Sequence, residues 1–310
     1  MIYNRIQILK DVTTQKIVKG QYANQFNRKN ARNEFQTIID YTDRDQNHKA
    51  KLEKLDASIC RYKDIYPYKH NVVTINNEHK MVNASWMNIL NDKSFIASQA
   101  PNDNTLDDFW QMCFQYNVNH ILMLCKEFED NKKKCSNYWD VNVKFKNFVV
   151  NNCEKTREDN VIVAKKITVT KLEDKKQRTF EHLQFKEWPD HSTPNIHNYV
   201  MIFENLFKFV DDARENNKKN PILVHCSAGI GRTGVFLTLY ALCNEIQKQI
   251  RSDDGSDLII FNVFNFVRKL KEMRMYSVEN INQYNFIYKF LEQYLKEKNI
   301  PSQLQQNLGN

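Results

Sequence analysis

The stretch Pro221-Ile222-Leu223-Val224-His225-Cys226-Ser227-Ala228-Gly229-Ile230-Gly231-Arg232-Thr233-Gly234-Val235-Phe236-Leu237 decides how this chain is read. Pro221 to His225 is an apolar run with strand character, and Gly234 to Leu237 opens an apolar helix. Between them lies a loop with glycines at 229 and 231. A strand, a glycine-bearing loop and a helix N-terminus in that order aim backbone N–H groups and a helix dipole at one point. An anion held there needs donors, positive charge and room. The amides of Ser227, Ala228, Gly229, Ile230 and Gly231 supply the donors, Arg232 a bidentate guanidinium, and the glycines close approach.

Cys226 at the head of the loop would have its thiolate stabilised by the same field. A thiolate attacks phosphorus well and leaves tolerably afterwards. Thr233 lies seven residues on, where its hydroxyl could bond the sulfur as it is expelled. A lone cysteine after an apolar strand is most simply a buried core thiol. Here His, Cys, Gly, Arg, Thr and Gly coincide at fixed spacing, a chance match rarer than about one in 10⁷ per window at average residue usage. The loop is therefore read as a phosphate cradle with a nucleophile.

Outward from this loop the chain alternates strand-like and helix-like patterns. Strands are expected at Val72 to Ile75, His120 to Leu124, Val143 to Val150, Val161 to Val169, Phe180 to Phe185 and Ile222 to His225. Helices are expected at Asn33 to Tyr41, Leu106 to Tyr116, His197 to Glu215, Gly234 to Ile250, Ile259 to Met273 and Ile281 to Glu297. Thr42 to Lys51 reads as a loop or a frayed helix end. The alternation implies one α/β domain with a mixed sheet, spanning 26–297 after an N-terminal extension, 1–25, and before a loose tail, 298–310. The hydrophobic share of 41% supports a sizeable core. No segment reaches the roughly 20 apolar residues a membrane span requires, and the N-terminus lacks an apolar signal core. The seven cysteines are scattered without CxxC spacing and read as reduced thiols. A net charge of +8 is compatible with nucleic acid, acidic membranes or phosphorylated substrates and selects none of them.

A leaving oxygen needs a proton, so a general acid should lie elsewhere in the chain. Trp188-Pro189-Asp190 fits: the proline fixes a turn, the tryptophan anchors a hinge, and Asp190 sits at a tip that closure would carry over the phosphate. With this tripeptide the sequence resembles the tyrosine-specific protein-tyrosine-phosphatase family from about Asn33 to Leu295. Arg61-Tyr62-Lys63-Asp64-Ile65-Tyr66-Pro67-Tyr68 is similar to its recognition loop and Asn83-Ala84-Ser85 to its NAS strand. Gln99-Ala100-Pro101 with Asp108-Phe109-Trp110, Lys134-Cys135-Ser136-Asn137-Tyr138-Trp139 and Gln283-Tyr284 resemble further family stretches.

The resemblance implies a twisted mixed sheet wrapped by helices, no metal or other cofactor, and a phosphocysteine intermediate. Cys226 then attacks, Arg232 clamps the phosphoryl oxygens, and Asp190 is acid and later base. Tyr62 would line the slot for the substrate ring and Asp64 hold the substrate backbone. Glu129 would fix Arg232, Lys134 would support Asp190, and Gln283 would serve the catalytic step. Expected partners are phosphotyrosine proteins, with no nucleic acid, and the chain itself is expected to be a cytoplasmic monomer. The family pattern is broken at Glu279, where glutamine is usual and commonly orients the hydrolytic water; a carboxylate there predicts slowed hydrolysis of the intermediate. Lys69, Asn71, Val72, Cys60 and Ser192 are further departures, expected to loosen the recognition loop or stiffen the acid loop.

Three rivals compete: a phosphotyrosine-capturing module without turnover, an RNA 5′-phosphatase, and a phosphoinositide phosphatase. The complete set Cys226, Arg232 and Asp190 opposes the first. Tyr62 and the Trp188-Pro189-Asp190 tripeptide oppose the second, and Ala228 with Ile230, where lysines would suit a polyanionic ring, the third. In compactness and its wealth of Asn and Lys the chain also resembles phosphatases carried by bracoviruses, which would imply host-cell phosphoproteins as substrates.

Overall fold

The computed structural model describes residues 2–19, 30–76, 80–90, 94–141, 143, 145–188, 196–216, 219–252 and 255–298. In chain order the first elements are α1 (Ile2–Val12), β1 (Gln15–Val18), α2 (Ala31–Tyr41), α3 (Gln46–Lys49), β2 (Val72–Ile75), β3 (Lys80–Met87) and β4 (Phe95–Ser98). There follow α4 (Leu106–Gln115), β5 (His120–Met123), the short hairpin β6 (Phe128–Glu129) and β7 (Lys132–Lys133), then β8 (Phe148–Glu158), β9 (Ile162–Lys171) and β10 (Gln177–Phe185). The last third holds α5 (Ile196–Asn216), β11 (Ile222–His225), α6 (Gly231–Arg251), β12 (Leu258–Phe261), α7 (Val263–Met273) and α8 (Ile281–Lys298).

Eight strands form one sheet in the order β2-β3-β4-β11-β5-β10-β9-β8. The central four, β4, β11, β5 and β10, run parallel, and antiparallel strands extend the sheet on both sides. Parallel strands must be covered on both faces, and β11 is buried at every position. Its Val224 joins a core with α2, α5, α6, α7 and α8, while Leu223 joins a second core with α4 and Tyr138. The register places Ser98, His225, Met123, Gln184, Val163 and Glu158 in one row across six strands. That row marks the edge from which the Cys226 loop departs, the usual ligand edge of parallel sheets. β8 is a long outer strand; its polar exposure and two register shifts discourage pairing with another chain.

The strands expected at 72–75 and 222–225 are observed with those bounds. Two expectations are corrected. The strand expected from Val143 begins only at Phe148, because the Asp107 carboxylate takes the N–H groups of Lys146 and Asn147 at 2.9 and 2.6 Å and ties that backbone to α4. The helix expected from Ile259 begins at Val263: Ile259 to Phe261 alternate in burial and pair with β1, and Asn262 caps the helix by accepting from the Asn265 N–H at 2.7 Å. Within Thr42 to Lys51 lies one helical turn, capped by Asp45. Residues 2–19, expected within an extension, contribute Ile6, Leu9 and Ile17 to the first core. The boundary expected at residue 25 and the tail from 299 lie outside the described residues. Among the described residues no helix is long and apolar enough to cross a membrane.

The α2–α8 contact carries a buried carboxylate. Glu34 is 2% exposed and accepts from the hydroxyls of Tyr284 and Tyr288 at 2.7 and 2.6 Å. Burial raises its carboxyl above the ordinary range, against the lowering effect of the two tyrosines. The folded state thus favours the protonated form, so this site's contribution is fullest at low pH and is lost as pH rises through the folded-state value. Glu34→Gln should keep both tyrosine bonds and flatten that fall. Glu34→Ala, removing the buried acceptor that both hydroxyls share, should cost about 2–4 kcal/mol. Denaturant titrations at pH 4.5 and 8 check both; a wild type whose stability falls no more than that of Glu34→Gln would contradict the assignment.

Candidate active site

A loop that turns its N–H groups inward must turn its carbonyls outward, and each buried carbonyl then needs a donor. All six from residue 225 to residue 230 have one. The His225 carbonyl accepts from Leu124 N–H at 2.8 Å and the Ser227 carbonyl from Ala100 N–H at 2.9 Å. The Cys226 carbonyl is 3.0 Å from His225 Nδ1. The carbonyls of Ala228 and Gly229 accept from the Arg274 guanidinium at 3.2 and 2.7 Å. The Ile230 carbonyl takes Gly234 N–H at 2.9 Å and Val278 N–H at 3.2 Å.

Arg274 is fully buried beneath the loop, and its remaining donors reach Ser85 Oγ and Asn83 Oδ1 at 3.1 and 3.0 Å. Burial lowers its pKa to about 10, which leaves it cationic at neutral pH. The NAS strand thus acts through this arginine, which the sequence reading did not single out. Glycine is required where the loop is tightest. Gly229 has φ +71°, and a Cβ there would lie 2.1 Å from the Ser98 carbonyl oxygen. A Cβ on Gly234 would lie 2.5 Å from the nitrogen of Val278, itself a β-branched residue at φ +55°.

Inside the loop, Cys226 Sγ accepts from the Gly229 N–H at 3.2 Å, and the residue is only 4% exposed. Arg232, the second residue of α6, is gripped by Glu129 through two bonds of 2.6 and 2.8 Å, and its Nη1 also donates to the Leu124 carbonyl at 3.2 Å. A fork held this way keeps one orientation. Glu129 stands on the β6–β7 hairpin, with the Lys134 ammonium 4.0 Å from its second oxygen. Tyr62, 37% exposed, joins its hydroxyl to Ser227 Oγ at 2.8 Å, and Ser227 Oγ donates to the Lys134 carbonyl at 2.9 Å. Asp64 is exposed on the same recognition loop. Arg61 ties that loop down through the carbonyls of Ala100, Pro101 and Lys133.

Behind Cys226 the bonding fixes a proton order. The Cys226 carbonyl can only accept, so His225 carries its proton on Nδ1 and accepts at Nε2. Tyr138, 2.8 Å from that nitrogen, donates to it. Its oxygen then accepts from His182 Nε2, also at 2.8 Å. The remaining His182 nitrogen, Nδ1, is buried without a partner, as an unprotonated nitrogen in this scheme would be. Burial pushes His225 down to about 4 and His182 well below its ordinary value, so both are neutral and act by dipole rather than charge. His182 carried no sequence signal, since its partner lies 44 residues away.

Glu279 and Gln283 reach the loop from the other side. A Cβ on Gly231 would lie 2.7 Å from Gln283 Nε2 and 3.0 Å from Glu279 Oε2, so both side chains rest on that glycine. Gln283 Oε1 also accepts from the Glu279 N–H at 2.8 Å. The departure at Glu279 therefore puts a carboxylate at the loop. Thr233 Oγ1 is buried and has no hydrogen-bond partner, including Cys226. The exchanged Cys60 and Asn71 are bonded within the fold: Asn83 Nδ2 donates to Cys60 Sγ at 3.7 Å, and Asn71 Nδ2 to the carbonyls of Trp86 and Met273 at 2.9 and 2.6 Å. Trp188 is packed against Phe185, Phe203 and Phe286. Asp190 and Ser192 lie outside the described residues.

The structure thus brings Cys226, Arg232, Glu129, Lys134, Tyr62, Glu279 and Gln283 to one loop. The family model for protein-tyrosine phosphatase matches residues 56–293. A rat tyrosine-protein phosphatase, non-receptor type 20, is 33% identical over 243 residues, covering 76% of this chain and 54% of the relative. Tyrosine-protein phosphatase 2 of Dictyostelium discoideum is 32% identical over 209 residues, covering 67% and 52%. The chain spans about half the length of these curated relatives. The solved catalytic domain of human protein tyrosine phosphatase non-receptor type 18 superposes with a TM-score of 0.70 at 26% identity, covering 86% of this chain and 96% of that one. By motif, loop geometry and these likenesses, the chain belongs to the protein-tyrosine phosphatase family.

Proposed function

We propose that this protein hydrolyses phosphotyrosine in proteins through a phosphocysteine at Cys226. The observation that carries the reading is the Cys226 sulfur inside an inward-facing amide loop, 3.2 Å from the Gly229 N–H, beside an arginine clamped by Glu129. A phosphoryl group seated there has its oxygens on amides and guanidinium, where the charge of phosphoryl transfer is spread. The Cys226 thiolate attacks phosphorus, the S–P bond forms, and the P–O bond to the tyrosine breaks. Asp190 gives its proton to the departing phenol oxygen. Water then attacks phosphorus, Asp190 takes its proton, and the S–P bond breaks to return the thiolate and release phosphate. The Tyr62 ring beside Ser227 suits a substrate that presents its phosphate at the end of an aromatic ring. The complex of the related PTPN18 with HER2 phosphopeptides supports a phosphoprotein substrate.

Steady-state hydrolysis of a phosphotyrosine peptide tests the reading. Cys226→Ser should abolish turnover while retaining peptide binding, and Asp190→Ala should lower kcat by about 10²–10⁴, the span of general acid catalysis. Glu129→Gln should lower kcat/KM by about tenfold or more by loosening the Arg232 fork. Unchanged turnover in Cys226→Ser would sink the mechanism.

Glu279 sets the second half-reaction apart. Its carboxylate, resting on Gly231 beside the phosphoryl site, opposes a further anion and cannot offer the amide N–H that a glutamine would present. Pre-steady-state kinetics should show a burst followed by slower turnover, and Glu279→Gln should raise the slow phase with little change in the burst. A wild type without a burst, or a Glu279→Gln variant with an unaltered slow phase, would contradict this role.

A further inference from the structure

Two lysines converge on Glu158, and a third, Lys165, lies beside them over Trp139. Lys155 on β8 lies directly opposite Lys165 on β9, a like-charge pairing that is unfavourable unless something negative sits between or above. Lys155 Nζ is 2.7 Å from Glu158 Oε2, and Lys186, just past β10, is 3.8 Å from Glu158 Oε1. Lys165 is only 7% exposed, in a position whose neighbours along β9, Val163 and Ile167, are core residues. Its ammonium sits 4.3 Å over the Trp139 ring. Among the described residues no carboxylate lies within ion-pair distance of it. Asp159 is occupied by Arg157 and by the N–H groups of Val161 and Ile162. Asp140, the residue after Trp139, adds a further negative charge near Cys153. Lys126, three residues past β5, is already paired with Glu187 at 2.9 Å. The cluster therefore holds three ammonium groups with one ion-paired carboxylate, Glu158, and the Trp139 ring against Lys165.

Its place in the fold relates it to the phosphate loop. The start of β9 and the end of β8 lie at the edge of the sheet where β11 delivers Cys226. Counted across β11, β5, β10, β9 and β8 at about 4.8 Å per strand, Lys165 on β9 and Lys155 on β8 lie about 14 and 19 Å from the nucleophile's strand. An extended peptide covers that distance in about four to six residues at 3.3 Å each.

We propose that Lys155, Lys165 and Lys186 form a second anion subsite, which binds an acidic or phosphorylated residue of the substrate four to six positions from the phosphotyrosine. The subsite rests on the phosphotyrosine reading above. Glu158 is its internal counter-ion, displaced or shared when the substrate anion arrives. Such a subsite selects by affinity, so its effect falls on KM and leaves kcat unmoved.

The test uses a set of phosphotyrosine peptides with neutral flanks, into which one glutamate or one phosphoserine is placed at each position from two to eight on either side. The expected result is a maximum at four to six positions on one side. There kcat/KM should rise about threefold for glutamate and about tenfold for phosphoserine, through KM, with the gain fading between 50 and 500 mM salt. In Lys155→Gln, an exposed position that should not disturb folding, and in Lys165→Met, the ratio of acidic to neutral peptide should fall towards one. Equal rates at every position, or a gain that survives both variants, would overturn the subsite while leaving the phosphatase reading intact. Failure of every peptide, neutral ones included, to react with wild type or to bind Cys226→Ser would instead overturn the phosphatase reading, and the subsite with it.

Discussion

Everything at the site depends on one constraint of backbone polarity. The loop can present its amides to an anion only if every carbonyl it turns away finds a donor in the protein. Arg274 meets the largest part of that demand. A buried cation with four bonds to the loop and to β3 is held by the loop's outward dipoles and by Asn83 and Ser85. Removing the guanidinium would leave two buried carbonyls unpaired, each costing about 1–3 kcal/mol. The left-handed backbone at Gly229 and Val278 and the bare Gly234 are consequences of the same close fit.

The rest of the fold places this loop at an edge. Parallel β4, β11, β5 and β10 bring Ser98, His225, Met123 and Gln184 into line, and the segments that follow them supply the site. After β11 comes Cys226; after β5, the hairpin with Glu129; after β4, Ala100. The chain His182–Tyr138–His225 runs from β10 through the segment after β7 to β11 and ends at the Cys226 carbonyl. It is neutral throughout, so it orients the loop without adding a charge that would titrate near neutral pH.

Much of this was legible in the sequence because the chemistry is local there. Cys226 to Arg232 are contiguous, the periodicity of α4, α5 and α8 is strong, and the apolar runs of β2 and β11 have their expected bounds. What stayed hidden depends on partners distant in sequence. Arg274 is one arginine among many until Gly229 lies above it, and His182 and Tyr138 are 44 residues apart. β12 looked helical because Ile259 and Phe261 continue the apolar spacing of α7; its pairing with β1, some 240 residues earlier, decided otherwise. The strand expected from Val143 lost to a side chain, Asp107, whose claim on the backbone leaves no mark in a hydrophobic pattern.

The account holds that the loop makes Cys226 the acceptor of a phosphoryl group. Acid quench of enzyme mixed with excess phosphotyrosine peptide, within the first turnover, followed by mass analysis of the fragment containing Cys226, tests this most directly. The account expects one phosphoryl group on that fragment, absent in Cys226→Ser. Turnover with no phosphoryl group on Cys226, or with the group on another residue, would contradict it.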